Sequence, residues 1–247
     1  MSPRNPRNRY TPGIQRTAIA LAALSLTALA ACEGDDDSMS AEACDAYADF
    51  QSAMFGDPAA IATAAQAFAD AAPESSSDDA ATIVAAVGNM ANDPSALDNP
   101  EVSAALQAVG DEVYDGCDAD KKLDVTGVDY AFEDIPDQID AGRVAIRFSN
   151  DSAANEPHEL VLATGADGQS AADLAALPID QLFQQARPLA VAFTTGPDTH
   201  ATTLVDLEPG EYLVICTLPV GGFVEGQDGP PADPHSHHGM VTTLTVV

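Results

Sequence analysis

The 247 residues contain no tryptophan, and cations are scarce: nine lysines and arginines stand against 39 aspartates and glutamates, a formal charge of -30. Four of the nine, Arg4, Arg7, Arg9 and Arg16, lie at the N-terminus, where no acidic residue precedes Glu33. The remainder is strongly anionic. Such a surface repels nucleic-acid phosphates and anionic lipid headgroups, which excludes both as direct partners. It tolerates a cationic partner and favours solubility, but says little else about function. No pair of side chains reads as a nucleophile with its base, which argues against an enzyme. No internal repeat is evident. The length allows one large domain or two small ones, and 46% hydrophobic residues supply ordinary core material.

The apolar run "AIALAALSLTALAA", residues 18–31, is too short to span a bilayer and fits the hydrophobic region of a secretory signal. It ends in "LAAC", residues 29–32, which resembles the lipobox of bacterial lipoproteins: leucine, two small residues, then cysteine. The resemblance implies a signal peptide over 1–31 and two acyl chains on Cys32, enough for a stable membrane anchor. The protein would then sit on the extracytoplasmic side of a bacterial envelope membrane. An ordinary signal peptide followed by a chance cysteine is the plainer alternative. Residues 32–40, with "EGDDDSMS", read as an acidic tether.

Four cysteines are present: Cys32, Cys44, Cys117 and Cys216. Lipidation of the first leaves an odd number in an oxidising compartment. Residues 41–120 read as helices with single apolar stripes: Cys44, Tyr47, Phe50 and Met54, then Ile61, Ala65, Phe68 and Ala72 behind Pro58. Ser77 or Asp78 can cap a third helix carrying Ile83, Val87 and Met90. Val102, Leu106, Val109, Val113 and Cys117 line a fourth. Cys44 and Cys117 both fall on inward faces of this small bundle, and a disulfide between them is expected. Cys216 remains, either as a small buried hydrophobe or as a metal ligand.

Residues 121–247 change pattern. "RVAIRFSN", "HELVLAT", "PLAVAFTT", "ATTLVDL", "GEYLVIC" and "MVTTLTVV" are short strand candidates, and "AADLAALPIDQLFQQA" is a helical insertion among them. The expected class is α+β in two parts, a helical bundle followed by an antiparallel sandwich. His200 reads as a polar residue at a strand end.

Three histidines and a methionine share "PADPHSHHGM", residues 231–240, in a chain with only five of each. A solvated His-rich loop explains this, and so does metal, because imidazole and thioether suit copper. His158 enters a strand, Cys216 ends another, and His235 and Met240 follow before the last strand. Two histidines, a thiolate and a methionine form the ligand set of a blue-copper electron-transfer site. His237 and His238 lie too close to Met240 for the chain to turn between them, so they are assigned to the rim.

On "NDSAANEPHEL", "LEPGEYLVICTLP" and "HSHHGMVTTLTVV", the stretch from roughly Val125 to Val247 resembles the cupredoxins, the plastocyanin-like family. Asn150 with His158 matches the family's first-ligand strand, Tyr212 four before Cys216 its Tyr-to-Cys strand, and the step from His235 to Met240 its ligand loop. The resemblance implies a Greek-key sandwich, one type 1 copper ion on His158, Cys216, His235 and Met240, and a redox or copper-transfer protein as partner. Four ligands leave no open coordination position for catalysis. Two departures stand out. Cys216 and His235 are 19 positions apart in sequence, wider than the family's usual spacing, and Glu159 follows the first histidine where asparagine is common. Glu159 could add negative charge, bond the loop or ligate. A metal-free structural or interaction lipoprotein, and a copper or zinc buffer built on the histidine loop, are the alternatives.

Overall fold

A computed structural model describes residues 38–93, 95–165, 168–222 and 233–247. The expected signal peptide, Cys32 and most of the expected tether lie outside them. Four helices come first: α1 (Ala41–Ala53), α2 (Pro58–Ala71), α3 (Ser77–Asn89) and α4 (Pro100–Gly116). Short polar side chains start three of them by accepting otherwise unpaired backbone N–H groups. Ser40 Oγ accepts from Ala43 N, Asp57 Oδ1 from Ala59 and Ala60 N, and Asn99 Oδ1 from Glu101 N. Pro58 and Pro100 each occupy the first turn, where a missing N–H costs nothing. α3 differs from expectation. Ser76, not Ser77 or Asp78, holds its cap position, and the Ser76 hydroxyl donates to Glu112 on α4 instead of capping.

The inward stripes bury Tyr47, Phe50, Ile61, Phe68, Ile83, Val109 and Val113, each at most 4% exposed. Met54, Met90 and Leu106 reach only the margin of that core. Cys44 and Cys117 form a disulfide that joins the start of α1 to the residue after α4.

The rest of the chain forms two sheets. One has strand order β2 (Ala131–Glu133), β1 (Lys121–Val128), β4 (Gly142–Asn150) and β7 (His200–Leu207). The other has order β3 (Gln138–Ile139), β9 (Val241–Val246), β8 (Gly210–Ile215), β5 (His158–Gly165) and β6 (Ala186–Thr194). Their facing residues make a single core: Leu123, Val125, Val144, Ile146 and Phe148 against Leu160, Leu162, Tyr212, Val214 and Leu244. The sheets are mixed rather than wholly antiparallel, because β1 pairs with β4, and β3 with β9, in parallel. The cause is the connection between β1 and β4. After β1 the chain folds back as β2, crosses to the second sheet as β3, and re-enters beside β1 at the end where β1 began.

Both sheets are covered on their outer faces. Ala145 and Leu204, pointing away from the sandwich interior, belong to the helical core. Tyr47 Oη donates to Thr202 O at 2.6 Å, and α4 comes so close to β7 that a Cβ on Gly110 would lie 3.1 Å from Thr202 Cβ. Charged residues tie the same surfaces. Arg147 pairs with Asp111 and lies over the Tyr114 ring, and Arg143 bridges Asp45 and Asp206. His200, at the start of β7, meets Asp111 of α4 at 3.0 Å. Opposite, α5 (Ala171–Ala175) and α6 (Ile179–Gln185) lay Leu174 and Leu182 on Val161, Leu213 and Ile215.

Candidate metal centre

His158 is the first residue of β5, Cys216 follows β8, and His235 opens a 3-10 turn, His235–His238, that leads into β9. All three are completely buried at one end of the sandwich. His158 Nδ1 lies 3.1 Å from His235 Nδ1, which lies 3.4 Å from Cys216 Sγ. One ligand atom from each residue falls within 4.8 Å of the others. Residues 77 and 19 positions apart thus share one small space.

The main chain explains how the long insertion between Cys216 and His235 leaves the cluster intact. Its two ends pair with each other: Val220 N donates to Asp233 O, His235 N to Leu218 O, and Ser236 N to Cys216 O. Pro219 and Pro234 sit opposite as a bridge. The insertion therefore departs and returns at one point, and its length does not separate the two ligand-type side chains. Cys216 N donates to Met240 O, and Met240 N to His235 O. Gly239 makes the intervening turn at φ 119°, a conformation open mainly to glycine.

Met240 is fully buried in the sandwich core. Its terminal methyl and Phe148 fill the space over Gly127, where a Cβ would lie 2.7 Å from Phe148 Cζ and 3.1 Å from Met240 Cε. A side chain at position 127 would push directly on both. Tyr212 anchors β8 from below, its hydroxyl donating to Glu208 O and accepting from Glu208 N.

Asn150 holds the segment that delivers His158. Its amide nitrogen donates to Glu156 O and Thr194 Oγ1, its oxygen accepts from Ser152 N, and Thr194 Oγ1 donates to His158 O. Glu159 points to the other face of β5, as strand alternation requires. It bonds the loop: Thr217, the residue after Cys216, donates to its carboxylate through both N and Oγ1. Burial raises the Glu159 pKa, against the pull of those two bonds.

Burial disfavours charge on each of the three donors. Burial, and then the repulsion a second protonated imidazole at His235 would bring, lower His158 to about 4. Burial also lowers His235, although Glu156 opposes it. The Cys216 thiol is pushed up to about 12 by burial and the nearby Glu159 charge. The two imidazoles and the thiol face one another, and the Cys216 sulfur also accepts from the main chain at Glu159 and Leu218. Cys216 Sγ has no side-chain partner besides His235 among the described residues, and His158 Nε2 is buried without a partner. Soft and borderline donors gathered in a buried space fit a metal ion that prefers sulfur and imidazole.

His237 and His238 do not join the cluster. Both are exposed; His237 lies 3.7 Å from Asp233, and His238 stacks on Tyr130 with ring centres 5.1 Å apart. The residue that sequence reading missed is Glu156, two positions before His158. Its Oε2 lies 2.7 Å from His235 Nε2 and accepts from Gly221 N, while Oε1 accepts from the Tyr130 hydroxyl. Burial pulls the Glu156 carboxyl upward, but the hydrogen bonds from Gly221, His235 and Tyr130 outweigh it and hold it below its usual range.

Fold and site together define a cupredoxin-like β-sandwich with a buried His–Cys–His cluster able to hold a metal ion. No family model matches the sequence, and no curated protein matches it. Among solved structures, the chain is similar to an auracyanin from the photosynthetic bacterium Roseiflexus castenholzii, with 20% identity, 53% of this chain and 99% of that one covered, and a TM-score of 0.36. It is also similar to auracyanin A, a "blue" copper protein from Chloroflexus aurantiacus, at 24% identity, with 51% and 98% covered and a TM-score of 0.32. An azurin from Methylomonas sp. strain J aligns at 20% identity, over 52% of this chain and 99% of its own, with a TM-score of 0.31.

Proposed function

We propose that this chain is a lipid-anchored, extracytoplasmic electron-transfer protein that holds one type 1 copper ion on His158, Cys216, His235 and Met240. The observation that carries the reading is the convergence of two imidazole nitrogens and one sulfur within 4.8 Å, in a buried space. Copper bound there would supply one-electron exchange. The protein supplies a buried cluster whose main chain is tied before an ion arrives: His158 by the Asn150 and Thr194 bonds, and Cys216, His235 and Met240 by bonds between their own backbones. Such preorganisation leaves little to rearrange when the charge at the centre changes.

Adding Cu(II) to the metal-free, reduced protein is expected to produce an intense visible thiolate-to-copper band that saturates near one equivalent. Cys216→Ala should give no band. A parent protein that binds copper without the band, through His237 and His238, would replace this reading with a surface metal buffer.

The anchor rests on "LAAC". The mature chain is expected to begin at a lipid-modified Cys32 and to partition with membranes, whereas Cys32→Ser stays unprocessed or is released. Mass spectrometry of the membrane fraction checks this. An unmodified residue 32 in soluble native protein rules the anchor out.

A further inference from the structure

We propose that Glu156 is the positioning residue of this centre, accepting the Nε2 proton of His235 and so keeping the unprotonated Nδ1 turned toward Cys216 and His158. The proposal rests on the metal-site reading for its purpose, though not for its geometry. A neutral imidazole carries one proton on two nitrogens, and its neighbours decide which. A carboxylate only accepts, so Glu156 Oε2 at 2.7 Å from His235 Nε2 requires the proton on Nε2. The lone pair is then on Nδ1, the atom 3.4 Å from Cys216 Sγ.

The two histidines differ in this respect. His158 Nε2 is buried and unpartnered, whereas His235 Nε2 is held. The Glu156 backbone is fixed independently of its side chain, since its N donates to Ser152 Oγ and its O accepts from Asn150 Nδ2. Its carboxylate also ties together the Tyr130 turn and Gly221 at the root of the insertion. One side chain thus holds three segments around the ring of His235. A carboxylate on the far nitrogen of a metal-binding histidine fixes the ring and makes it a stronger donor. Stronger donation and a nearby negative charge both favour the more highly charged metal ion.

The test begins with metal-free protein. Long-range 15N–1H correlation spectra at neutral pH should show His235 of the parent protonated on Nε2. Glu156→Ala should shift His235 toward the Nδ1-protonated form, while Glu156→Gln, which keeps an acceptor oxygen of the same reach, should preserve the parent tautomer. With copper, Glu156→Ala is expected to weaken Cu(II) affinity by about 10- to 100-fold, the usual effect of losing such a partner. Glu156→Gln should retain most of the affinity but raise the reduction potential, because it removes charge without removing the bond. A folded Glu156→Ala protein that keeps the Nε2 tautomer overturns the proposal. So does a Glu156→Gln protein whose potential does not move. If the tautomer shifts as expected and no form takes up copper, the positioning role stands and the copper reading falls.

Discussion

His235→Ala abolishes the thiolate-to-copper band, and the double variant His237→Ala with His238→Ala leaves it largely intact; this is the expected result when the three histidines of one short turn are compared. The reason is burial and direction. His235 is completely buried with Nδ1 beside Cys216 Sγ, while its two neighbours lie on the exposed side of the turn. Losing one of three convergent donors removes the geometry on which the absorption depends, so the effect is all or none. His158→Ala should match it. Met240→Leu should instead keep the band and shift the potential, because a thioether tunes a copper site from a weak, distant position. Absorption and electron paramagnetic resonance of the copper-treated variants decide the matter. A band that survives His235→Ala and disappears in the double variant would transfer the ligand role to the rim.

The second large effect concerns stability. Cys44 and Cys117 are 73 positions apart, so reducing their bridge frees a long loop in the unfolded chain. The chain-entropy relation gives about 4 kcal/mol for a loop of this size. For a protein of this length that corresponds to a fall in melting temperature of roughly 8–16 °C. Replacing both cysteines with alanine, followed by thermal and urea denaturation under the same conditions, measures it. The copper band of the folded double variant should be unchanged, since neither cysteine belongs to the cluster. A loss below about 1 kcal/mol would mean that the four-helix layer is held to the sheet mainly by packing through Ala145, Leu204 and Tyr47.

The site was more legible in the sequence than the sheet that supports it. Ligand-type residues are rare here, so His158, Cys216 and His235, which the fold brings together, stand out by chemistry and order alone. β1 did not. "KKLDVTGV" opens with two lysines, and its glycine, needed where Phe148 and Met240 crowd the backbone, breaks the look of a strand. Its parallel pairing with β4 is a long-range outcome with no local signal. The covered outer face was also hidden, because nothing local distinguishes Ala145 and Leu204 from residues on an uncovered strand face. Glu156 escaped for a different reason. One acid among 39 carries no information until folding places it against His235.

The direction of β1 has a consequence for how the molecule would stand on a membrane. Met39, near the beginning of the described chain, packs against Gly116, next to the disulfide and just ahead of β1. From Lys121 the strand runs to Gly127, which lies under Met240 about 20 Å away. The chain therefore enters at the pole opposite the histidine–cysteine cluster. With Cys32 as the point of attachment, only residues 33–37 separate the lipid from Ser38, a reach of about 20 Å when fully extended. On the anchored reading proposed above, such a tether limits how far the entry pole could lie from the lipid. On the electron-transfer reading proposed above, a redox partner would meet the pole that carries the cluster and not the pole where the chain enters.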